Sequence, residues 1–467
     1  MNPDEPTVFA KASTVPDSVP SRFLSDLVLR RAFLFGIAFL CLFTAIKYYA
    51  KAEKPSRLGD QTRTAFLRWR PQVLALDDGR NIYDEFRYPN PPIMALILRP
   101  FMELPPLVGA MAWFFAKVGM AIAMIVWTFR LLAVPVADWV KGLAIALSLH
   151  PILGDLAHGN VNLFISFVVV GALECFRRRW DFTAGVAIGL AIACKVTPAL
   201  FVPYFLWKRA WRALAGVIVG SMLWLAIVPG GVLGWDYNRT LLTSWFEHMV
   251  KPFAIDGKVT TEHPNQSIPG VVFRLLTAEP SFLEYDPEDG QPVSAGFHNL
   301  ADVGPANAKR IVQLAMLLFA IGIVALCRWP THRANVPRAG PALVAEYGLI
   351  LIGMLLFSER TWKHHAVALI VPFSAICWAI GSTHFQKRTR IGIGAIFTVA
   401  VALMWLPSFM GPETQDLALV YGTHTMAFAL SVAALMGMLI SFRRESQFAA
   451  TNLRHVVGAT ERGVEAM

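Results

Sequence analysis

Apolar runs of roughly 15–20 residues recur along this chain and restrict its fold more than any motif does. They lie near 32–49, 107–129, 142–157, 161–176, 182–194, 196–207, 213–229, 309–327, 343–357, 366–380, 391–406 and 422–441. A segment of this length in hydrocarbon must satisfy its backbone hydrogen bonds internally, so each run reads as a helix. The expected fold is an all-α polytopic membrane protein. Charged residues make up 16% of the 467, where soluble domains carry about 25%. Mean hydropathy is +0.49. The run at 32–49 is too long for the core of a signal peptide and lacks a clear cleavage site, so it reads as an uncleaved first helix.

Net charge is +10. In a soluble chain this would raise nucleic acid as a partner. Here the excess is explained by short basic loops between helices, and nucleic acid is not expected. The clusters are Arg177-Arg178-Arg179, Lys208/Arg209/Arg212, Arg328/Arg333/Arg338, Lys387/Arg388/Arg390 and Arg443/Arg444. Placing all of them in the cytoplasm follows the positive-inside rule. The parity closes if the short, proline-flanked run 92–104 does not cross but is re-entrant or interfacial. That leaves about 12 crossings, counted from the runs above, with both termini cytoplasmic. The expected organisation is a disordered tail at 1–30, a membrane domain at 31–442 and a cytoplasmic tail at 443–467. The runs 182–194 and 196–207 are short for a crossing, and a hairpin reaching partway is expected there.

With that parity, every polar island falls on the side away from the cytoplasm. The islands are the first loop (51–91), His158-Gly159-Asn160, Lys195-Val196-Thr197-Pro198, the long loop (230–308), 358–365 and 407–421. The first loop carries Asp60, Asp77, Asp78 and Asp84, with an amphipathic stretch at 66–76 that reads as an interfacial helix. A carboxylate there can take a proton from a hydroxyl; a solvated acidic loop fits equally well. Asn160 and Asn162 offer partners to a sugar or phosphate, or merely form a tight turn with Gly159. Lys195 interrupts an apolar run, either snorkelling or presenting a fixed cation to a phosphate. Asn265 or Ser267 caps a helix containing Arg274, and its N-terminus would attract an anion.

The island Ser358-Glu359-Arg360-Thr361-Trp362-Lys363-His364-His365 is the densest polar interruption between apolar runs. The five cysteines are odd in number and form no CxxC. Adjacent histidines on a helix point about 100° apart, and no metal-ligand spacing occurs, so neither a metal nor a cofactor is expected. This inventory suits transfer of a group from a lipid-linked phosphate to a hydroxyl outside the cytoplasm. The alternatives are a transporter or flippase of lipid-linked or polar substrates, which would need mid-membrane charges and repeat symmetry, and a non-catalytic scaffold.

Five short stretches in order carry a family resemblance. They are Gly79-Arg80-Asn81-Ile82-Tyr83-Asp84 with Phe86-Arg87-Tyr88-Pro89; Gly159-Asn160-Val161-Asn162; Lys195-Val196-Thr197-Pro198; Asn265-Gln266-Ser267 with Arg274; and Ser358 with Thr361-Trp362 and His364-His365. On these the chain resembles glycosyltransferase family 87, membrane enzymes of the C-type glycosyltransferase fold that use polyprenyl-phosphate sugars. The resemblance implies an inverting transfer of mannose or another hexose to a glycolipid or glycan acceptor, in the cell membrane, with the active site extracytoplasmic. It implies a first-loop carboxylate as base: Asp60, with Asp84 and Asp78 as alternates. It implies Lys195, His364, His365, Trp362, Asn265, Ser267, Arg274, Asn160, Asn162 and Tyr88 around the donor sugar and phosphate. The chain departs from the family pattern at Asn160, where the family has Gln, and at Glu359, where it has Pro. Asp60 lies 19 positions before Gly79, farther than the pattern places its aspartate.

Overall fold

The computed structural model describes residues 27–53, 64–285, 292–327 and 338–464. Among the described residues eight helices are long and apolar enough to cross a membrane: Val28–Glu53, Pro106–Leu132, Asp138–His158, Trp211–Leu233, Pro305–Leu326, Lys363–Gly381, Lys387–Phe409 and Thr423–Glu445. They match eight of the expected crossings. The other four are shorter or broken. Asn162–Arg177, Asp181–Cys194 and Pro341–Leu356 have 16, 14 and 16 residues. The run 196–207 is not one helix but a 3-10 turn, Thr197–Leu200, followed by the helix Phe201–Trp207. Pro198 and Pro203 explain the break, since neither has an N–H to continue the ladder.

The short run after the first loop folds as the helix Pro92–Met102, 11 residues long and thus well below bilayer thickness. Before it, Thr64 caps the helix Ala65–Leu74, which buries Phe66, Leu67 and Val73. The long loop is more structured than a lid. It holds the helices Trp235–Trp245 and Ile268–Leu276 and an antiparallel hairpin, Phe282–Tyr285 against Pro292–Gly296, so the all-α expectation needs that one amendment.

Burial ranks the helices. The strongest span window of Lys363–Gly381 is 83% buried and lies at the centre; those of Val28–Glu53 and Pro305–Leu326 are 11% and 6% buried, so their apolar surface is left for lipid. Asp181–Cys194 and Trp211–Met222 pack backbone to backbone. A Cβ at Gly185 would lie 1.9 Å from the Ala213 carbonyl oxygen, and one at Gly216 would lie 2.2 Å from that of Phe182. Gly189 and Gly220 repeat the contact one turn on, a paired small-xxx-small seam.

The helices also separate two kinds of end. At one end, charges pair among themselves: Glu174 with Arg177 (2.6 Å) and Arg178 (2.8 Å), Glu346 with Lys208 (2.6 Å), and Asp181 with Arg338. The islands around residues 158–162, 194–197 and 358–365 lie at the opposite ends of the same helices.

Candidate active site

The site is built where three helix ends meet. Asp138–His158 stops at Gly159 in the left-handed region (φ 69°). A Cβ there would meet the Tyr48 hydroxyl at 2.9 Å, so a glycine is required twice over, by conformation and by space. The turn reading therefore holds, and the turn carries Asn160 and Asn162 to the start of the next helix, Asn162–Arg177.

Beneath this turn lies a buried ion pair absent from the sequence reading. Lys117 Nζ is 3.2 Å from Asp155 Oδ2, with both side chains at 0% exposure. The same Nζ donates to the carbonyls of Asp155 (2.8 Å) and Asn160 (3.1 Å). Asp155 also accepts from Asn162 Nδ2 (3.1 Å) and Leu163 N (3.4 Å). Both charges sit inside runs read as apolar. The signal was present, because a lone charge inside a membrane-length run is costly unless it has a partner.

Lys195 follows Asp181–Cys194 in extended conformation, half-buried, and its Nζ donates to Asn162 Oδ1 at 2.8 Å. Burial pushes its pKa down to about 8, against the pull of the Asp155 and Glu359 carboxylates. Facing it is the island 358–365. Ser358 Oγ bonds the Arg360 carbonyl (2.7 Å) and Thr361 Oγ1 (2.9 Å), which shapes the loop. Trp362 stacks parallel to His365 with centroids 6.4 Å apart, and His364 stacks on His158 at 4.3 Å. Glu359, the odd negative charge, accepts from Thr260 Oγ1 (2.5 Å) and lies 3.6 Å from Arg360 Nε.

These groups surround a polar cavity of about 670 Å³. Of the residues named from sequence, Lys195, Asn160, Asn162, Trp362, His364 and His365 line it. Sequence reasoning missed Arg68, Gln72, Trp245 and Glu262, which also line it, as does Arg360 of the 358–365 island. Gln72 Oε1, Trp245 Nε1 and Trp362 Nε1 are buried with no hydrogen-bond partner among the described residues, so the cavity wall has polar capacity to offer a ligand. Among the described residues no cluster of His, Cys, Asp or Glu has the form of a metal site.

Beside the cavity runs an apolar groove of about 620 Å³, with Leu200, Phe253, Phe273, Met316 and Phe357 in its walls. The two spaces share Val196, Thr197, Met249, Val250, Ser358 and Glu359. An amphipathic molecule can therefore put a polar head in one and an apolar chain in the other.

The remaining named residues lie elsewhere. Asn265 is buried and ties the long loop to the 358–365 island: Nδ2 donates to the carbonyls of Thr260 (2.7 Å) and Glu359 (3.0 Å), and Oδ1 accepts from Thr361 N (2.9 Å). Ser267 caps Ile268–Leu276 by accepting from Gly270 N. Arg274 donates to the carbonyls of Val420, Leu419, Thr261, Glu262 and Asn265, and burial pushes its pKa down to about 10. None of these three lines the cavity; full burial and their hydrogen bonds to backbone make them struts of the loop that bears Glu262. Tyr88 is buried edge-on against the lining residue Trp69. Asp84 is exposed, 2.9 Å from His248, and Asp78 is exposed; neither lines the cavity. Asp60 lies outside the described residues; Thr64, four positions on, is buried against Gly159.

The model of glycosyltransferase family 87 matches residues 88–359. A polyprenol-phosphate-mannose-dependent alpha-(1-2)-phosphatidylinositol mannoside mannosyltransferase from Mycobacterium tuberculosis is 25% identical over 371 residues, 77% of this chain and 73% of that protein. A polyprenol-phosphate-mannose-dependent alpha-(1-2)-phosphatidylinositol pentamannoside mannosyltransferase from Mycolicibacterium smegmatis is 27% identical over 335 residues, 70% of each chain. Among solved structures, ArnT from Cupriavidus metallidurans bound to undecaprenyl phosphate superposes with a TM-score of 0.40 at 12% identity, over 87% of this chain and 77% of that one. At that score the likeness carries no argument.

Proposed function

Since the chain belongs to glycosyltransferase family 87, we propose that it transfers mannose or another hexose from a polyprenyl-phosphate donor to a hydroxyl of a glycolipid or glycan acceptor. The observation that carries this reading is the shared wall between the polar cavity and the apolar groove. The isoprenyl chain lies in the groove, the phosphate meets Lys195 on the cavity side, next to the shared residue Val196, and the hexose occupies the cavity. Trp245 and Trp362 supply rings and N–H donors for the sugar. The named donors of the two mannosyltransferase relatives support the same substrate class.

The step is an inverting displacement. The acceptor hydroxyl attacks the anomeric carbon, the bond from that carbon to the phosphate oxygen breaks, and polyprenyl phosphate leaves with the electron pair. A first-loop carboxylate takes the hydroxyl proton, and Asp60 is the residue proposed for it. Lys195 faces the oxygen on which negative charge grows, where one fixed donor is worth about a hundredfold in rate. The described residues of the basic clusters lie at the opposite helix ends from the cavity, which supports cytoplasmic termini and an extracytoplasmic site in the cell membrane.

Purified protein incubated with labelled polyprenyl-phosphate hexoses and membrane extract tests the reading. Consumption of one donor with label appearing in a glycolipid or glycan supports it. Intact donors throughout, from protein that is folded and monodisperse, would overturn it.

A further inference from the structure

We propose that Asp155 is a positioning residue for Lys195, acting through the side-chain amide of Asn162. The inference rests on the reading above, in which the Lys195 ammonium meets the departing phosphate. Asn162 stands between a carboxylate and an ammonium: its Nδ2 is 3.1 Å from Asp155 Oδ1, and its Oδ1 is 2.8 Å from Lys195 Nζ. A carboxylate only accepts hydrogen bonds and an ammonium only donates them, whereas an amide has one end of each kind. Only one orientation of Asn162 satisfies both neighbours. Asp155 thus holds the amide with its oxygen toward Lys195, fixing where the lysine points.

Lys117 makes this possible inside a membrane protein. It sits against Asp155 at 3.2 Å, both side chains fully buried, and its partnership offsets part of the cost of burying that carboxylate. Its bond to the Asn160 carbonyl (3.1 Å) ties the same pair to the turn that carries Asn162. The charged and titratable groups that share the cavity with Lys195 are Glu359, Arg360, His364 and His365 from the opposite loop, Glu262 from the long loop, and Arg68 and Arg87 from the first loop; Asp155, paired with Lys117, acts on it from outside the cavity. Of the carboxylates among them, Asp155 is the one linked to Lys195 by a hydrogen-bonded bridge.

The test compares Lys195→Met, Asn162→Leu and the double variant Asp155→Asn with Lys117→Met, in the labelled-donor assay from about pH 6 to about pH 10. Asn162→Leu keeps the Lys117–Asp155 pair and removes only the bridge. The double variant removes both buried charges together, so neither is left unpaired. Each is expected to lower kcat about tenfold or more. Asn162→Leu and the double variant are also expected to move the alkaline limb of the rate profile down by about half a pH unit, because the Lys195 ammonium loses its support. A rate loss with the limb unmoved in both variants would mean that Asp155 is only structural, and would overturn the inference while leaving the function intact. Full activity in Lys195→Met would overturn both.

Discussion

At the scale of single residues, the site turns on how charge is held near the helix ends that meet at the cavity. Lys195 carries the sharpest expectation. Its pKa is lowered to about 8, so the ammonium present at neutral pH is lost as the pH rises through that value. Transfer should therefore fall on the alkaline side of about pH 8, a decline measurable as initial rate on a saturating donor. Lys195→Arg, which stays charged, should flatten that decline even if it lowers the rate, since its guanidinium does not titrate in this range. Asp60→Asn should abolish transfer without reducing the amount of protein in the membrane; full activity would move the base elsewhere. Glu262 and Glu359 are the described carboxylates that line the cavity. Glu359 is already engaged by Thr260 and Arg360, which accounts for a negative charge where the family pattern has proline.

At the scale of elements, two joints carry the site. The first is the glycine seam between Asp181–Cys194 and Trp211–Met222, which sets where Lys195 emerges. Gly216→Val would force a side chain into the Phe182 carbonyl and should cost about 2 kcal/mol, read as a lower melting temperature in detergent. The same substitution at Gly119, where nothing lies within 4 Å of a Cβ, should have little effect by comparison. The second joint is Arg274, which gathers carbonyls from the long loop and from the C-terminal end of the helix Pro412–Val420. Arg274→Met should strip several buried acceptors of their donors and destabilise the protein by about 3 kcal/mol or more. If Arg274 instead bound the donor phosphate, the variant would melt normally and show only a raised KM for donor.

At the scale of the whole molecule, the polar cavity and the described residues of the basic clusters occupy opposite ends of one helical assembly. Cysteines placed at exposed Glu279 and exposed Arg212 should report this. An impermeant maleimide added to intact cells should label the first and not the second. Labelling of Arg212→Cys alone would invert the orientation. Membership of a glycosyltransferase family decides against the transporter and scaffold alternatives, neither of which composition could exclude.

Much of the architecture was legible because a bilayer leaves few options. Apolar length calls for helices, basic loops set their direction, and breaks in an apolar run must be paired, capped or placed at a mouth. Order along the chain also led to Lys195, Trp362 and His364-His365, because polar groups between spans stand out against an apolar background. Three things waited for the tertiary structure. Thr197–Leu200 became a 3-10 turn rather than part of a span. Asn265, Ser267 and Arg274 proved to be buried and bonded to backbone, with none of them lining the cavity. Lys117 and Asp155 came together across 38 positions of sequence to steady Asn162. The physical reason is the same in each case. Periodicity and composition report what a residue's surroundings must be on average, water or lipid, whereas the partner that completes a hydrogen bond is set by which distant segment packs alongside.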